Sequence, residues 1–367
     1  MSIPKTGEFL PYPSSNSCPD SKITLHRVRM DEYTTEGVPA TLLYGPTQRV
    51  FLKQRYNCKD AINVNIGLND GYGCYRKKPK GTSFDELLQY IIEQKLQHPE
   101  YSLKDAVCYG DFVIRRGLLS RIMMLPYEAD GDGLTVSIKR YQGVFFMKEV
   151  VSDEHVEAAN FKRYVHEYWP AKFRHTMTTV NGVERPKIVD TFTQFHGAFI
   201  LKLADANNQG PIVFYGSQLD AFDENSTPVL LKTQAEHSQS DPRMLSRYRQ
   251  WYLQCLLTGS SDIVIGFRNQ SAIVTRIEKL KSSDLRKRIT RKFDSHVCSN
   301  AFRVFLKQIR DFYDSNVNEN EHLDLTLKPS KIVFDYSVVP DLQYQVLSEV
   351  FLKTFPSESQ VNNVQVN

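Results

Sequence analysis

Residues 244–280 read MLSRYRQWYLQCLLTGSSDIVIGFRNQSAIVTRIEKL and carry the clearest structural pattern in the chain. Up to Leu257 the apolar residues have helical spacing, and Gly259 is suited to ending that helix. From Asp262 onward the stretch is rich in β-branched and aromatic residues around a polar turn at 268–270, which predicts two strands. The chain thus passes from a buried helix directly into a strand pair.

The segments on both sides extend this pattern outward. Apolar residues recur at helical spacing in 83–97, where Ser83 is the expected N-cap. The segments 212–220 and 228–233 predict adjacent strands joined by a polar turn at 223–225. Further strands are predicted at 134–151, as a pair, and around 188–203, and a further helix at 295–313. Because strands dominate the middle of the chain and helices flank them, the predicted fold class is α+β.

Composition and length favour one compact unit. The chain has 367 residues, of which 41% are hydrophobic and 24% are charged, as in ordinary globular proteins. No internal repeat or low-complexity linker divides it. We predict a flexible N-terminal arm at 1–22, a single domain at 23–355 and a disordered tail at 356–367 that is rich in Ser, Asn and Gln.

Several classes of protein are disfavoured by what the sequence lacks. The six cysteines contain no CxxC pair, so a zinc site is not expected. No apolar run approaches the roughly 20 residues of a membrane helix, and the first residues do not resemble a signal peptide. We therefore expect a soluble intracellular protein with no membrane partner. The net charge of +4 permits a nucleic-acid partner without requiring one.

Four stretches carry a recognisable pattern: RGLLSRIMMLPYE at 116–128, RYQGVFFMKE at 140–149, GSQLDAFD with VLLKT at 216–223 and 229–233, and WYLQCLLTGSSDIVIGFRN at 251–269. Together they resemble the DXO decapping exonuclease family. They match in order and spacing across roughly residues 105–280. The resemblance implies two mixed β-sheets flanked by helices, with a pocket between the sheets. It also implies that the pocket binds the 5′ end of RNA and cuts it with Mg²⁺ or Mn²⁺.

The same resemblance shows which metal-binding carboxylates are lost. The family holds its metal with four carboxylates in Gly-φ-x-φ-Glu, Glu-φ-Asp and Glu-φ-Lys motifs, where φ is apolar. Three of the four are replaced, two by leucine, which cannot coordinate, and one by glutamine, a weak neutral ligand. We therefore expect no catalytic residue and no metal cofactor. The positions in this chain are Leu201 in GAFIL at 197–201, Gln218 and Asp220 in QLD at 218–220, and Leu230 in LLK at 230–232.

Other polar residues of the family's pocket are kept. The resemblance places them at Arg116, Asp220, Lys232 and Gln254. Paired Mg²⁺ ions need several oxygen ligands each, and a single Asp cannot hold two of them against their repulsion. With neither metal nor its carboxylates, the pocket is expected to be neutral to positive. Such a pocket is suited to holding an RNA phosphate and leaving it uncut.

Alternatives remain open from the sequence alone. Arg116 and Lys232 could form a structural ion pair with Asp220 instead of binding phosphate, and Leu201 and Leu230 could plug the pocket. The chain could then be only a protein-docking scaffold.

An enzymatic alternative rests on the acidic residues that remain near the motifs. These are Glu128, Glu149, Asp223 and Glu224. They could rebuild a metal site in an active decapping enzyme or pyrophosphohydrolase.

An inactive member with these losses is most similar to the branch of the family that acts in the fly piRNA pathway. That similarity implies a nuclear, germline location and a heterochromatin-protein paralogue and a linker protein as partners. The family also includes the partner protein of a nuclear 5′→3′ exonuclease, which is a further expected partner.

Overall fold

The computed structural model describes residues 5–8, 24–37, 41–45, 48–79, 81–127, 134–150, 161–236, 242–289, 293–328, 333–340 and 346–357. The predicted arm at 1–22 and tail at 356–367 lie largely outside these residues. Within the arm, Lys5–Glu8 forms a strand that pairs with Val333–Pro340. None of the helices in this part of the chain is long and apolar enough to cross a membrane.

One sheet, here called sheet A, contains ten strands within the described residues. The strand β6 is parallel to both of its neighbours, β8 and β12, and the other neighbouring pairs are antiparallel. In order across the sheet the strands are β1 (Lys5–Glu8), β18 (Val333–Pro340), β17 (Glu321–Lys328), β7 (Thr135–Tyr141), β8 (Val144–Val150), β6 (Phe112–Arg115), β12 (Ile212–Gln218), β11 (Gln194–Ala204), β2 (Thr24–Glu36) and β3 (Thr41–Tyr44).

A second sheet, sheet B, contains eight strands in the same part of the chain. Two neighbouring pairs, β4 with β13 and β14 with β15, are parallel. Both sheets are therefore mixed, which confirms the predicted α+β class with two mixed sheets. The strands are β10 (Val183–Glu184), β9 (Thr178–Val180), β4 (Val50–Leu52), β13 (Ala221–Phe222), β14 (Pro228–Ala235), β15 (Asp262–Arg268), β16 (Ile273–Lys281) and β5 (Ile62–Gly67).

Helices cover the sheets and fill the space between them. The largest hydrophobic cluster joins both sheets to α3, α5 and α7, a second lies under α1 and α8, and a third packs α4 on sheet B. Alternate residues of β12 show this division, because Tyr215 belongs to the first cluster and Phe214 to the second. The helices are α1 (Thr82–Gln97), α2 (Leu103–Ala106), α3 (Arg116–Met124), α4 (Phe161–Met177), α5 (Pro242–Thr258), α6 (Ser282–Ile289), α7 (Ser295–Asn316) and α8 (Glu349–Thr354).

Two sequence predictions need correction. Helix α1 begins at Thr82, and its N-cap is Gly81 (φ +84°), not Ser83. The strands predicted at 212–220 and 228–233 are not neighbours, because β12 belongs to sheet A and β14 to sheet B. The chain leaves sheet A after Gln218 and crosses to β13 through Leu219 and Asp220.

The packing of α4 on sheet B depends on a glycine. A Cβ atom at Gly266 would lie 2.5 Å from the Cε2 atom of the fully buried Phe173, which is closer than packed atoms approach. We expect Gly266→Ala to displace α4 and to lower the free energy of unfolding by about 1–3 kcal/mol, measured by urea denaturation. The matched control is Gly73→Ala, because no atom of the described residues lies within 4 Å of a Cβ atom there. Equal stability of the two variants would contradict this packing argument.

Candidate functional site

Asp220 lies where the chain crosses from sheet A to sheet B, and donors surround its carboxylate. Its side chain is 8% exposed. The Oδ2 atom accepts a hydrogen bond from the Leu231 backbone N–H at 3.1 Å. The Oδ1 atom lies 3.8 Å from Nη1 of Arg174 in α4. Both carboxylate oxygens therefore face positive or donating groups.

Two further cations share this carboxylate. Arg116, the first residue of α3, and Lys232 in β14 both interact electrostatically with Asp220 and with Arg174. Burial lowers the pKa of Lys232 to about 8, an effect that Asp220 opposes and the two arginines reinforce. Burial likewise lowers the pKa of the Arg116 guanidinium, again against the influence of Asp220. We call Arg116, Arg174, Lys232 and Asp220 the cation cluster.

The cations of this cluster have few other partners. The Arg116 Nε donates to the Ser217 Oγ at 3.3 Å. Lys232 makes no hydrogen bond or ion pair with any residue that the structure describes. A purely structural ion pair does not account for all three cations, because they share one carboxylate.

Leu201 is no part of the cluster, contrary to its assignment as a metal position from the sequence. It is fully buried in the core between the sheets and lies opposite Val213 of β12. Val213 precedes Gln218 by five residues, which is roughly 17 Å along a strand. Leu230 is buried in the same core, directly before the residue whose N–H binds Asp220. Both leucines are therefore core residues.

Arg174 is the site residue that the sequence did not reveal. The stretch 170–174 reads PAKFR, with apolar residues at the second and fourth positions as in Gly-φ-x-φ-Glu. Pro170 stands at the Gly position and Arg174 at the Glu position. The motif was assigned from the sequence to GAFIL at 197–201, because that stretch keeps the glycine of the motif. The proximity of Arg174 to Asp220 is the observation that selects PAKFR instead.

Gln254 lies on α5 and is half-buried. Its Oε1 atom is buried and accepts no hydrogen bond within the described residues. The next residue, Cys255, interacts electrostatically with Lys232, and burial raises the pKa of its thiol to about 12. This part of α5 therefore lies towards the cation cluster, although no hydrogen bond joins Gln254 to the cluster.

The remaining acids do not rebuild a metal site in the part of the chain that the structure describes. The Asp223 Oδ1 accepts the backbone N–H groups of Asn225 and Thr227 in a turn. Glu149 pairs with Arg121, Glu224 is exposed, and Glu128 lies outside the described residues.

The cation cluster does not fit a divalent metal ion. No group of three or more His, Cys, Asp and Glu side chains is gathered for a metal among the described residues. Mg²⁺ and Mn²⁺ require several oxygen ligands. Around Asp220 they would meet one engaged carboxylate and three cations.

A cavity of about 470 Å³ adjoins the cation cluster through Arg116. The cavity is also lined by Ser217, by Gln218 and by the N-terminal end of α1 at 81–84. Arg115 also lines it, and no described residue accepts a hydrogen bond from its buried Nη1. The volume is in the range of small-molecule sites.

The chain resembles known decapping proteins. Residues 44–352 match the family described as "RAI1 like PD-(D/E)XK nuclease". The decapping nuclease dom-3 of Caenorhabditis elegans is 24% identical over 244 residues, 63% of this chain and 61% of the relative. The decapping and exoribonuclease protein of Xenopus laevis is 26% identical over 54% of this chain and 53% of its own length. The chain thus spans less than two thirds of these two relatives.

Solved structures with the same fold cover nearly the whole chain. Candida albicans Rai1 in complex with pU5-Mn²⁺ aligns with a TM-score of 0.69 at 18% identity, over 95% of this chain and 98% of that one. K. lactis Dxo1 in complex with manganese aligns with a TM-score of 0.62 at 14% identity, over 93% of this chain and 99% of that one. The resemblance found in the sequence is thereby confirmed at the level of the family. This chain belongs to the RAI1-like PD-(D/E)XK nuclease family.

Proposed function

We propose that this chain is a catalytically inactive member of its family that binds and shields RNA 5′ ends. The observation that carries the proposal is the cation cluster, in which Arg116, Arg174 and Lys232 surround the single carboxylate of Asp220. Phosphodiester hydrolysis with metal needs oxygen ligands that this cluster does not offer. Cations without matching carboxylates are instead suited to a phosphate group.

The shape beside the cluster supports an RNA end as the ligand. Arg116 belongs to the cluster and also lines the cavity of about 470 Å³, so the two are continuous. A phosphate at the cluster would leave room in the cavity for the attached nucleotide. A relative of this fold was solved in complex with pU5-Mn²⁺. Gln254 is a further candidate contact, because its buried Oε1 has no partner in the described residues.

Within the family, the proposed relationship is to the inactive fly protein Cutoff. The loss of the metal-binding carboxylates at Gln218 and Leu230 supports it. On this proposal the chain acts in germline nuclei in a complex on piRNA source loci, with a heterochromatin-protein paralogue and a linker protein. There it protects uncapped nascent transcripts and suppresses splicing and transcription termination. A nuclear 5′→3′ exonuclease is a further proposed partner.

The first experiment separates binding from catalysis. The purified chain is incubated with 5′-triphosphate RNA and with 5′-monophosphate RNA in Mg²⁺ and in Mn²⁺. We expect no product. Release of pyrophosphate or nucleotides would instead establish an active enzyme with a rearranged site.

The second experiment tests the binding pocket. We expect 5′-monophosphate RNA to bind more tightly than the same RNA with a 5′-hydroxyl. Lys232→Glu should weaken the affinity for 5′-monophosphate RNA by about tenfold or more. The control is Lys353→Glu, which makes the same change of charge at an exposed lysine on α8. Affinities are measured by fluorescence anisotropy. Equal, weak binding of both RNAs by all three proteins would favour a protein-docking scaffold.

A further inference from the structure

We propose that the Arg174 guanidinium stands in for the family's divalent cation, so that this chain holds a terminal 5′-phosphate without metal. This inference rests on the proposed function and adds to it a binding residue and independence from metal ions. It follows from the mismatch between the cation cluster and a metal ion.

The guanidinium of Arg174 has hydrogen-bond donors that no described residue uses. Its Nη1 lies 3.8 Å from the Asp220 Oδ1, which is an ion contact too long for a hydrogen bond. No hydrogen bond of its guanidinium to another described residue is found, although its backbone oxygen accepts one from Thr178. A guanidinium presents five N–H donors in a planar fork that matches the oxygens of phosphate.

The charge of the cluster also suits this ligand. Three cations and one carboxylate leave a formal excess of two positive charges. A terminal phosphate carries between one and two negative charges near neutral pH, since its second pKa is about 6. A 5′-hydroxyl end offers no such charge. The cluster should therefore distinguish the two kinds of RNA end.

The position of Arg174 connects it to the cavity. Its neighbour in sequence, Phe173, is packed against Gly266 of sheet B, which fixes this part of α4. Tyr75 lines the cavity, and the charge of Arg174 opposes the rise in its pKa that burial causes. Arg116, which also lines the cavity, interacts with Arg174 as well. A phosphate that enters from the cavity thus comes within range of both arginines.

The test compares 5′-monophosphate RNA with 5′-hydroxyl RNA of the same sequence, in excess EDTA and in Mg²⁺. For the wild-type chain we expect the same preference for the phosphorylated end in both conditions. We expect Arg174→Gln to reduce that preference by about tenfold or more in EDTA, and Arg174→Lys to retain part of it. The control is Arg140→Gln, at a partly exposed arginine of β7 paired with Asp314. Thermal unfolding checks that each variant is folded.

The outcomes separate this inference from the proposed function. A preference that appears only with Mg²⁺ would overturn the metal-free site and leave the binding of 5′ ends intact. An EDTA-resistant preference that survives Arg174→Gln would overturn the role of Arg174. No preference under either condition would overturn the proposed function itself. The wild-type comparison needs no variant, so it stands even where Arg174→Gln is unstable.

Discussion

Asp220→Ala is expected to lower the free energy of unfolding by about 3–5 kcal/mol, because it leaves three neighbouring cations without their shared carboxylate. The side chain of Asp220 is 8% exposed, so water compensates little for the lost charge. The variant also removes the acceptor of the Leu231 N–H. Urea denaturation of the purified variant and the wild type measures the difference.

Two further variants divide this effect into its parts. Asp220→Asn keeps an oxygen acceptor for Leu231 and removes the charge, so its stability should lie between those of Asp220→Ala and the wild type. Asp314→Ala is the control, because Asp314 forms an exposed ion pair with Arg140, which is worth at most about 1 kcal/mol. If Asp220→Ala proved as mild as Asp314→Ala, the electrostatic account of the cation cluster would be wrong. Added inorganic phosphate should partly restore the stability of both Asp220 variants only if it neutralises the cations.

The second large effect is a rise in stability with pH that belongs to Lys232. Its pKa is about 8 in the folded chain, below its ordinary value of 10.5, mainly because it is buried. Between these two values the unfolded chain binds more protons at this lysine than the folded chain does, so the free energy of unfolding rises with pH. The cost of the buried ammonium is fully present below the lower value and is relieved above it. The expected rise is on the order of 2–3 kcal/mol.

The contribution of Lys232 to the pH dependence is isolated by comparing the wild type with a variant that lacks the amine. Urea denaturation of the wild type and of Lys232→Met is followed from about pH 7 to about pH 10. Lys232→Met should be the more stable protein at the lower end, and its advantage should shrink as the pH rises. Lys353→Met, on the exposed surface of α8, should show no such trend relative to the wild type. A constant difference between the wild type and Lys232→Met would refute the assignment of the effect to burial of Lys232.

Much of the fold follows from local patterns in the sequence. The helix in 244–257 and the strand pair in 262–280 are present as α5, β15 and β16, and Gly259 ends the helix with φ +74°. The pairing of β12 with β14 was predicted wrongly, because local spacing shows that two segments are strands but not which sheet each joins. The crossing at Leu219 and Asp220 has no Gly or Pro to mark it.

The candidate site could be predicted only where a motif kept its chemistry. Arg116, Asp220 and Lys232 retain their residue types, and the structure brings them together. At Arg174 the end residues of the motif differ from the family pattern, so sequence spacing pointed to Leu201 instead. The position of α4 relative to Asp220 depends on long-range packing, including the contact of Phe173 with Gly266. Short motifs carry no information about such contacts.

The short crossing between the sheets gives the molecule a mechanical property. Leu219 and Asp220 alone join the end of β12 to β13, and Asp220 is in turn anchored to β14 by the Leu231 N–H. The two layers cannot slide past one another without breaking that anchor. The position of sheet A relative to sheet B at this point is therefore constrained by a two-residue connection and by the Asp220 side chain that holds it.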